Sequence, residues 1–157
     1  MNCTSTERMV YKVITKCQKE SMQTKETVLI IEDDSDINEL FCEIFEAANY
    51  NILQAPNGQV ALDILTAADQ ENTYPDIILI DMLMPILNGM EFIAIINAKY
   101  PETLARLPYI ITSAKDYSEM SDLKLPENFT VMKKPMDIDD LLKKAKEHSS
   151  KYKLKRP

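Results

Sequence analysis

Short, mostly apolar runs alternate along this chain with longer segments in which apolar residues recur every three or four positions. Such runs are typical of strands buried on both faces, and the longer spacing is typical of helices with one apolar face. The pattern predicts five strands, over residues 28–31, 52–55, 77–80, 109–112 and 129–132. It also predicts five helices, over residues 36–48, 57–68, 88–99, 115–125 and 138–147, of which the fourth is short and polar.

The strict alternation of strands and helices predicts an α/β fold with a five-stranded parallel sheet that is covered on both faces. Asp36 followed by Glu39 fits a capping box at the start of the first helix, and Asp34 is expected to face solvent or to cap that helix. Residues 1–24 show no clear period and are interpreted as a disordered or loosely docked extension. The domain is expected over 25–149, followed by a short basic tail over 150–157.

Composition narrows the class of protein. Hydrophobic residues make up 45% of the 157 residues and charged residues 27%, as in a soluble globular domain. The net charge of −7 argues against nucleic acid as a partner. The absence of a membrane-length apolar run and of a signal-peptide core indicates a cytoplasmic protein with no membrane partner. The cysteines and the histidine lack the spacing of a zinc site. Cys3, Cys17 and Cys42 are interpreted as free thiols, and His148 is interpreted as an exposed residue near a helix end.

Carboxylates follow two of the predicted buried strands. Glu32 and Asp33 come directly after the first strand, and Asp81 comes directly after the third. Parallel strands present their functional residues at their carboxyl ends, so we expect these acids to gather at one edge of the sheet. Carboxylates gathered there repel one another unless a cation lies among them. The sequence therefore predicts a Mg²⁺ site with one carboxylate left free to react.

Two further strands end in residues that complete a pattern. Ser113 follows the fourth strand, and Lys134-Pro135 follows the fifth. With these residues in place, the chain from about residue 26 to residue 148 resembles the receiver domain of two-component response regulators. The resemblance implies a chemotaxis-regulator-like, flavodoxin-like (βα)5 fold with strand order 2-1-3-4-5. The segments that carry it are Val28–Asp34, Asp81-Met82-Leu83-Met84-Pro85, Ser113-Ala114 and Lys134-Pro135, with Gly58 and Gly89 at the family's turn positions.

The resemblance also implies roles for the site residues. Asp81 would be the phosphoacceptor, Lys134 would place a positive charge on the phosphoryl oxygens, and Ser113 would be the hydroxyl switch. Pro135 would follow a cis peptide bond. The residues that would hold Mg²⁺ are Glu32, Asp33, Asp81 and, through its backbone carbonyl, Leu83.

One position departs from the family pattern, and another lies where the family varies. The family usually has an aromatic switch residue three positions before the lysine, where this chain has Val131. Phe129, two residues earlier, is expected on the same face of the strand. Leu83 stands where the family tunes hydrolysis, and its side chain offers no hydrogen bond to an attacking water. We therefore expect a phosphoryl group on Asp81 to outlast that of a Leu83→Asn variant.

The resemblance implies a stand-alone response regulator with no further domain after residue 150, and not an enzyme acting on other substrates. It would accept a phosphoryl group from a sensor histidine kinase or histidine phosphotransfer protein and then switch its binding to an unknown downstream protein. The alternatives are a phosphorelay intermediate, a phosphate sink, or a binding module that works without phosphorylation. A phosphatase of the haloacid-dehalogenase-like class is disfavoured, because those enzymes have an Asp where this chain has Leu83.

Overall fold

The computed structural model describes residues 25–99, 106–114 and 127–153, and strands and helices alternate through them. The predicted helix over 115–125 and the extension over 1–24 lie outside the described residues. The strands are β1 (Thr27–Ile31), β2 (Asn51–Ala55), β3 (Ile77–Asp81), β4 (Tyr109–Ser113) and β5 (Phe129–Lys133). The helices are α1 (Ser35–Ala47), α2 (Gly58–Glu71), α3 (Gly89–Lys99) and α4 (Ile138–Lys153).

The five strands form one parallel sheet in the order β2-β1-β3-β4-β5, which confirms the predicted fold class and strand order. The register brings the carboxyl ends of the strands into line. Ile31 pairs with Ile80, Asp81 pairs with Thr112, and Ser113 pairs with Lys133. The residues that follow β1, β3, β4 and β5 therefore meet at one edge of the sheet.

Both faces of the sheet are buried at its central strands β1, β3 and β4, because their successive side chains enter two separate cores. Leu29 and Ile31 belong to the core that lies under α2 and α3. Val28 and Ile30 belong to the core that lies under α1 and α4. Burying each such side chain stabilises the fold by roughly 1.5–3 kcal/mol, so the central strands form a firm base for the residues at their ends.

Helix α1 begins one residue earlier than predicted, at Ser35. Its N-cap is Asp34, whose Oδ1 accepts hydrogen bonds from the backbone N–H groups of Asp36 (3.0 Å) and Ile37 (3.1 Å). The prediction that Asp34 caps this helix is confirmed. The prediction of a capping box from Asp36 and Glu39 is wrong, because Asp36 already lies inside the helix.

A capping box occurs instead at the start of α3. The side chain of Asn88 accepts a hydrogen bond from the backbone N–H of Glu91 (2.9 Å). The Glu91 carboxylate accepts one in return from the backbone N–H of Asn88 (3.0 Å). Two N–H groups that have no partner inside the helix are thereby satisfied, which fixes the point where the chain leaves the loop after β3.

Helix α4 continues six residues beyond its predicted end at residue 147 and packs its last turns over β5. His148 is half-buried, hydrogen-bonds Thr130 through Nε2, and stacks against the ring of Tyr152. The Tyr152 hydroxyl donates to the backbone carbonyl of Glu127 (2.6 Å). The interpretation of His148 as an exposed residue at a helix end is therefore wrong, since the helix extends past it.

Two further predictions concern partners and cysteines. Among the described residues, we find no helix that is both long enough and apolar enough to cross a membrane. Cys42 is a buried free thiol, as expected. Cys3 and Cys17 lie outside the described residues.

Candidate functional site

Three carboxylates meet at the carboxyl edge of the sheet, where the sequence places them. Glu32 follows β1, Asp33 comes next, and Asp81 ends β3, the strand paired with β1. One carboxylate oxygen from each of the three lies within 4.8 Å of the others. Glu32 and Asp81 are buried, whereas Asp33 is exposed. The cluster is therefore closed on the protein side and open to solvent at Asp33.

Lys134 lies between two of these carboxylates. Its Nζ is 2.8 Å from Oε2 of Glu32 and 3.1 Å from Oδ1 of Asp81. Burial alone would lower the pKa of Lys134, but the hydrogen bond to Glu32 and the negative charges of Asp81 and Glu32 raise it above its usual value. The amine is therefore charged at neutral pH and is fixed beside Asp81.

The pKa of Glu32 reflects its burial more than its contact with Lys134. Burial raises the pKa of Glu32, and the nearby charge of Asp81 raises it further, although the hydrogen bond from Lys134 opposes both effects. The amine of Lys134 thus offsets the effect of burial on Glu32 only in part.

The donor set fits a hard divalent cation. Mg²⁺ binds carboxylate and carbonyl oxygens, and the three acids supply such oxygens within reach of one another. A cleft of about 480 Å³ opens beside them, lined by Glu32, Asp33, Ser35, Asn38, Glu39, Gln54 and Pro56. This cleft gives solvent and ions access to Asp33.

Strand β4 brings hydroxyl side chains to the same edge. Ser113 is fully buried, and its backbone carbonyl accepts a hydrogen bond from the backbone N–H of Lys134 (2.7 Å). Thr112 is also fully buried, and its hydroxyl donates to the backbone carbonyl of Ile80 (3.4 Å). The backbone carbonyl of Thr112 accepts a hydrogen bond from the backbone N–H of Met82 (2.9 Å). The ends of β3, β4 and β5 are therefore connected directly behind Asp81.

The loop after Asp81 contains an unusual turn. The backbone N–H of Leu87 donates to the carbonyl of Pro85 (2.8 Å), and the residue between them, Ile86, has φ = 71°. This hydrogen bond across three residues with a positive central φ defines a γ-turn of the rare, strained kind. Ile86 is 82% exposed and Leu83 is 55% exposed, so the loop presents apolar side chains to solvent next to the site.

The two glycines of the chain, which the resemblance places at turn positions, both pack against this loop. Neither has a positive φ. A Cβ on Gly89 would lie 2.8 Å from the carbonyl oxygen of Asp81, and a Cβ on Gly58 would lie 2.9 Å from the side chain of Leu87. Close packing against the loop, rather than backbone conformation, is therefore the structural requirement for glycine here.

The predicted switch residues lie on one face of β5. Phe129 and Val131 pack against the same core, as expected for residues two apart in a strand. The Phe129 ring stacks on Tyr109, with ring centroids 4.4 Å apart and an interplanar angle of 1°. The peptide bond between Lys134 and Pro135 is cis, as the resemblance implies.

Comparison with known proteins identifies the family. The response regulator receiver domain profile matches residues 28–146. The chain belongs to this family. Among curated proteins, this receiver is 31% identical over 123 residues to sporulation initiation phosphotransferase F of Bacillus subtilis, and the match covers 78% of the chain and 93% of that protein. It is 27% identical to a cyclic di-GMP phosphodiesterase of Thermotoga maritima, of which it covers only 28%.

Solved structures agree with the receiver fold. The receiver domain of the Francisella response regulator 1452 is 26% identical, with a TM-score of 0.67 and coverage of 81% of this chain and 98% of that one. A response regulator receiver domain protein from Clostridium thermocellum is 23% identical, with a TM-score of 0.70 and coverage of 83% and 99%. The second likeness is one of fold alone.

Proposed function

We propose that Asp81 of this receiver accepts a phosphoryl group from the phosphohistidine of a sensor histidine kinase or of a histidine phosphotransfer protein. The phosphorylated form then changes its binding to a downstream protein. The observation that carries this proposal is the position of Lys134, whose Nζ lies 3.1 Å from Oδ1 of Asp81 inside the acidic cluster.

The reaction requires a nucleophile and preorganised positive charge. A carboxylate oxygen of Asp81 attacks phosphorus, an O–P bond forms, and the P–N bond to the donor histidine breaks. The imidazole leaves with the electron pair and takes up a proton. Negative charge spreads over the three equatorial oxygens in the transition state, and Lys134 is already in place to stabilise it.

Glu32, Asp33, Asp81 and the backbone carbonyl of Leu83 would hold Mg²⁺. When bound, this ion supplies further charge compensation for the phosphoryl oxygens and screens the acids from one another. The chain's own groups orient the acceptor oxygen and hold the amine of Lys134 against it. The catalysis that we propose is limited to phosphorylation and dephosphorylation of the protein itself.

Ser113 would report the modification. A phosphoryl group adds about −1.5 to −2 charges, which is enough to reorient nearby donors. Ser113 is buried at the end of β4, and its carbonyl is bonded to the backbone of Lys134, so movement of its hydroxyl is coupled to the loops on either side. Val131 cannot act as an aromatic switch, so we expect the readout of Ser113 to differ from the usual one.

A phosphorelay role is the second candidate. It is supported by the similarity to sporulation initiation phosphotransferase F, of which the chain covers 93%. A relay intermediate passes its phosphoryl group on to a histidine, whereas a docking regulator or a sink keeps it until hydrolysis. The two roles can be separated by mixing the radiolabelled phosphoprotein with purified histidine phosphotransfer proteins from the same organism. Transfer of the label to a partner protein would support the relay role, whereas release of the label as inorganic phosphate would support a docking regulator or a sink.

The first test is intact mass after incubation with Mg²⁺ and acetyl phosphate. We expect one added phosphoryl group on the parent, none on Asp81→Asn, and none on the parent after addition of EDTA. Lys134→Ala should react roughly 10²-fold more slowly, as expected for loss of one preorganised charge, while the exposed neighbour in Lys133→Ala serves as matched control. A parent that gains no phosphoryl group and binds no Mg²⁺ would favour a phosphorylation-independent binding module.

A further inference from the structure

Asn38 links helix α1 to the backbone of the acidic site. Its Nδ2 donates a hydrogen bond to the backbone carbonyl of Glu32 (3.0 Å). Its Oδ1 accepts one from Sγ of Cys42 (3.5 Å). The same sulfur accepts from Nε2 of Gln54 on β2 (2.7 Å). A chain of three side chains thus leads from the edge strand of the sheet to the peptide that joins two of the clustered acids.

The hydrogen bond to Glu32 is made at the point where the backbone leaves the sheet. The pairing of β1 with β3 ends at Ile31, and the N–H of Glu32 still bonds the carbonyl of Ala55 (3.1 Å). The Glu32 carbonyl points into the turn that leads to α1, and Asn38 is the side chain that binds it. Fixing this carbonyl fixes the plane of the peptide between Glu32 and Asp33, and therefore the direction in which the Asp33 side chain leaves the backbone.

Cys42 sets the orientation of the Asn38 amide. A flipped amide would place Oδ1 against the Glu32 carbonyl oxygen, so that two acceptors would face each other. The thiol of Cys42, which is only 7% exposed, donates to Oδ1 and favours the observed orientation. In this chain of hydrogen bonds, Asn38 joins Cys42 and Gln54 to the backbone of the acidic site.

We infer that Asn38 is a positioning residue that preorganises the Asp33 carboxylate, beside those of Glu32 and Asp81, for a divalent cation. This inference rests on the proposed function in one respect, namely that the cation is Mg²⁺. Residues that hold metal ligands in place from outside the coordination sphere typically contribute 10–100-fold to metal affinity, and ~10-fold is expected for a contact to the ligand's backbone.

The test is isothermal titration of Mg²⁺ into the full chain, with Asn38→Leu compared to the parent. Asn97→Leu is the matched control, since Asn97 is an exposed asparagine on a different helix. We expect Asn38→Leu to bind Mg²⁺ roughly 10-fold more weakly. The Mg²⁺ concentration that half-saturates labelling of Asn38→Leu by acetyl phosphate should rise by the same factor. The labelling rate of this variant at saturating Mg²⁺ should stay near that of the parent. A general loss of structure would lower that maximal rate instead.

A pair of variants at Cys42 keeps the test decisive if Asn38→Leu does not fold. Cys42→Ser retains a donor to Oδ1 of Asn38 and should keep the parent's Mg²⁺ affinity, whereas Cys42→Val fills the space without a donor and should weaken it. In a parent that binds Mg²⁺ and is phosphorylated, unchanged affinity in Asn38→Leu would overturn this inference alone. Where Asn38→Leu does not fold, unchanged affinity in Cys42→Val would do the same. A parent that binds no Mg²⁺ would overturn it together with the proposed metal site.

Discussion

Gly89 packs so closely against Asp81 that a Cβ on Gly89 would lie 2.8 Å from the Asp81 carbonyl oxygen and 3.1 Å from Cα of Met82. The backbone N–H of Gly89 also donates to the carbonyl of Met82 (3.2 Å). The first residue of α3 therefore contacts the backbone at the end of β3 and at the start of the following loop. A change at this glycine acts on Asp81 through the backbone, without touching any of the charged groups of the site.

Gly89→Ala should destabilise the protein, because both nearby atoms belong to the backbone and cannot rotate away. We expect a loss of about 1–3 kcal/mol in the free energy of unfolding, as for other overpacked sites. Gly58→Ala is the comparison variant, since two of its three nearest atoms belong to the side chain of Leu87, which can move. Urea unfolding of both variants should show the larger loss for Gly89→Ala, and an equal or smaller loss there would contradict the packing argument.

The positions of the strands and of the site were accessible from the sequence because both depend on simple geometry. A run such as Ile77-Ile78-Leu79-Ile80 is buried on both faces, and parallel strands end at a common edge. Once the alternation of strands and helices is recognised, residues that follow the strands must approach one another. Glu32, Asp33 and Asp81 are therefore grouped as the pattern predicts.

The features that the sequence did not reveal depend on contacts between distant segments. Asn38 resembles any polar residue on a helix face, and only the fold shows that it binds the carbonyl of Glu32. Asp34 and Asp36 are equally plausible caps by composition, and the exact start of the helix decides between them. The burial of His148 follows from the continuation of α4 over β5, a segment with few apolar residues to signal it.

Leu83→Asn should shorten the lifetime of the phosphorylated form. The Leu83 side chain is 55% exposed and offers an attacking water no hydrogen bond, whereas an asparagine amide at this position could orient that water. One hydrogen bond contributes about 0.5–1.5 kcal/mol, which corresponds to roughly 2–10-fold faster hydrolysis. Decay of the phosphorylated mass after removal of acetyl phosphate measures the effect, and equal decay rates in the variant and the parent would exclude this role for Leu83.

Ile86→Asn should stabilise the protein and leave phosphorylation unchanged. A β-branched residue is strained at φ = 71°, and asparagine tolerates positive φ values better. Because Ile86 is 82% exposed, its replacement removes little buried apolar surface. We expect a gain of roughly 1 kcal/mol in the free energy of unfolding by urea titration. A loss of stability would show that the Ile86 side chain makes a contact that outweighs the strain. The same variant is a control for Leu83→Asn, since it also replaces an exposed apolar residue of this loop.

The single histidine of the chain provides a test of how α4 is packed. Burial lowers the pKa of His148, and the positive charge of Lys151 lowers it further, although Glu147 opposes this effect. The folded protein therefore favours the neutral imidazole that hydrogen-bonds Thr130. Since the folded-state pKa lies below the ordinary value of 6.5, the unfolded chain binds more protons in the interval between them.

It follows that the contribution of His148 to stability is fully present above pH 6.5 and is lost as the pH falls through the folded-state pKa. The ring-proton resonances of the only histidine can be titrated by NMR without assignment ambiguity and should give a pKa below the ordinary value. The free energy of unfolding should be measured by denaturant titration at about pH 7.5 and at about pH 5.5. Its decrease between these two pH values should be smaller in His148→Gln than in the parent, because glutamine keeps a polar group near Thr130 but does not titrate. If the free energy of unfolding falls equally in the parent and in His148→Gln over this pH interval, the carboxylates alone account for the pH dependence of stability. The packing of α4 then does not depend on a neutral His148.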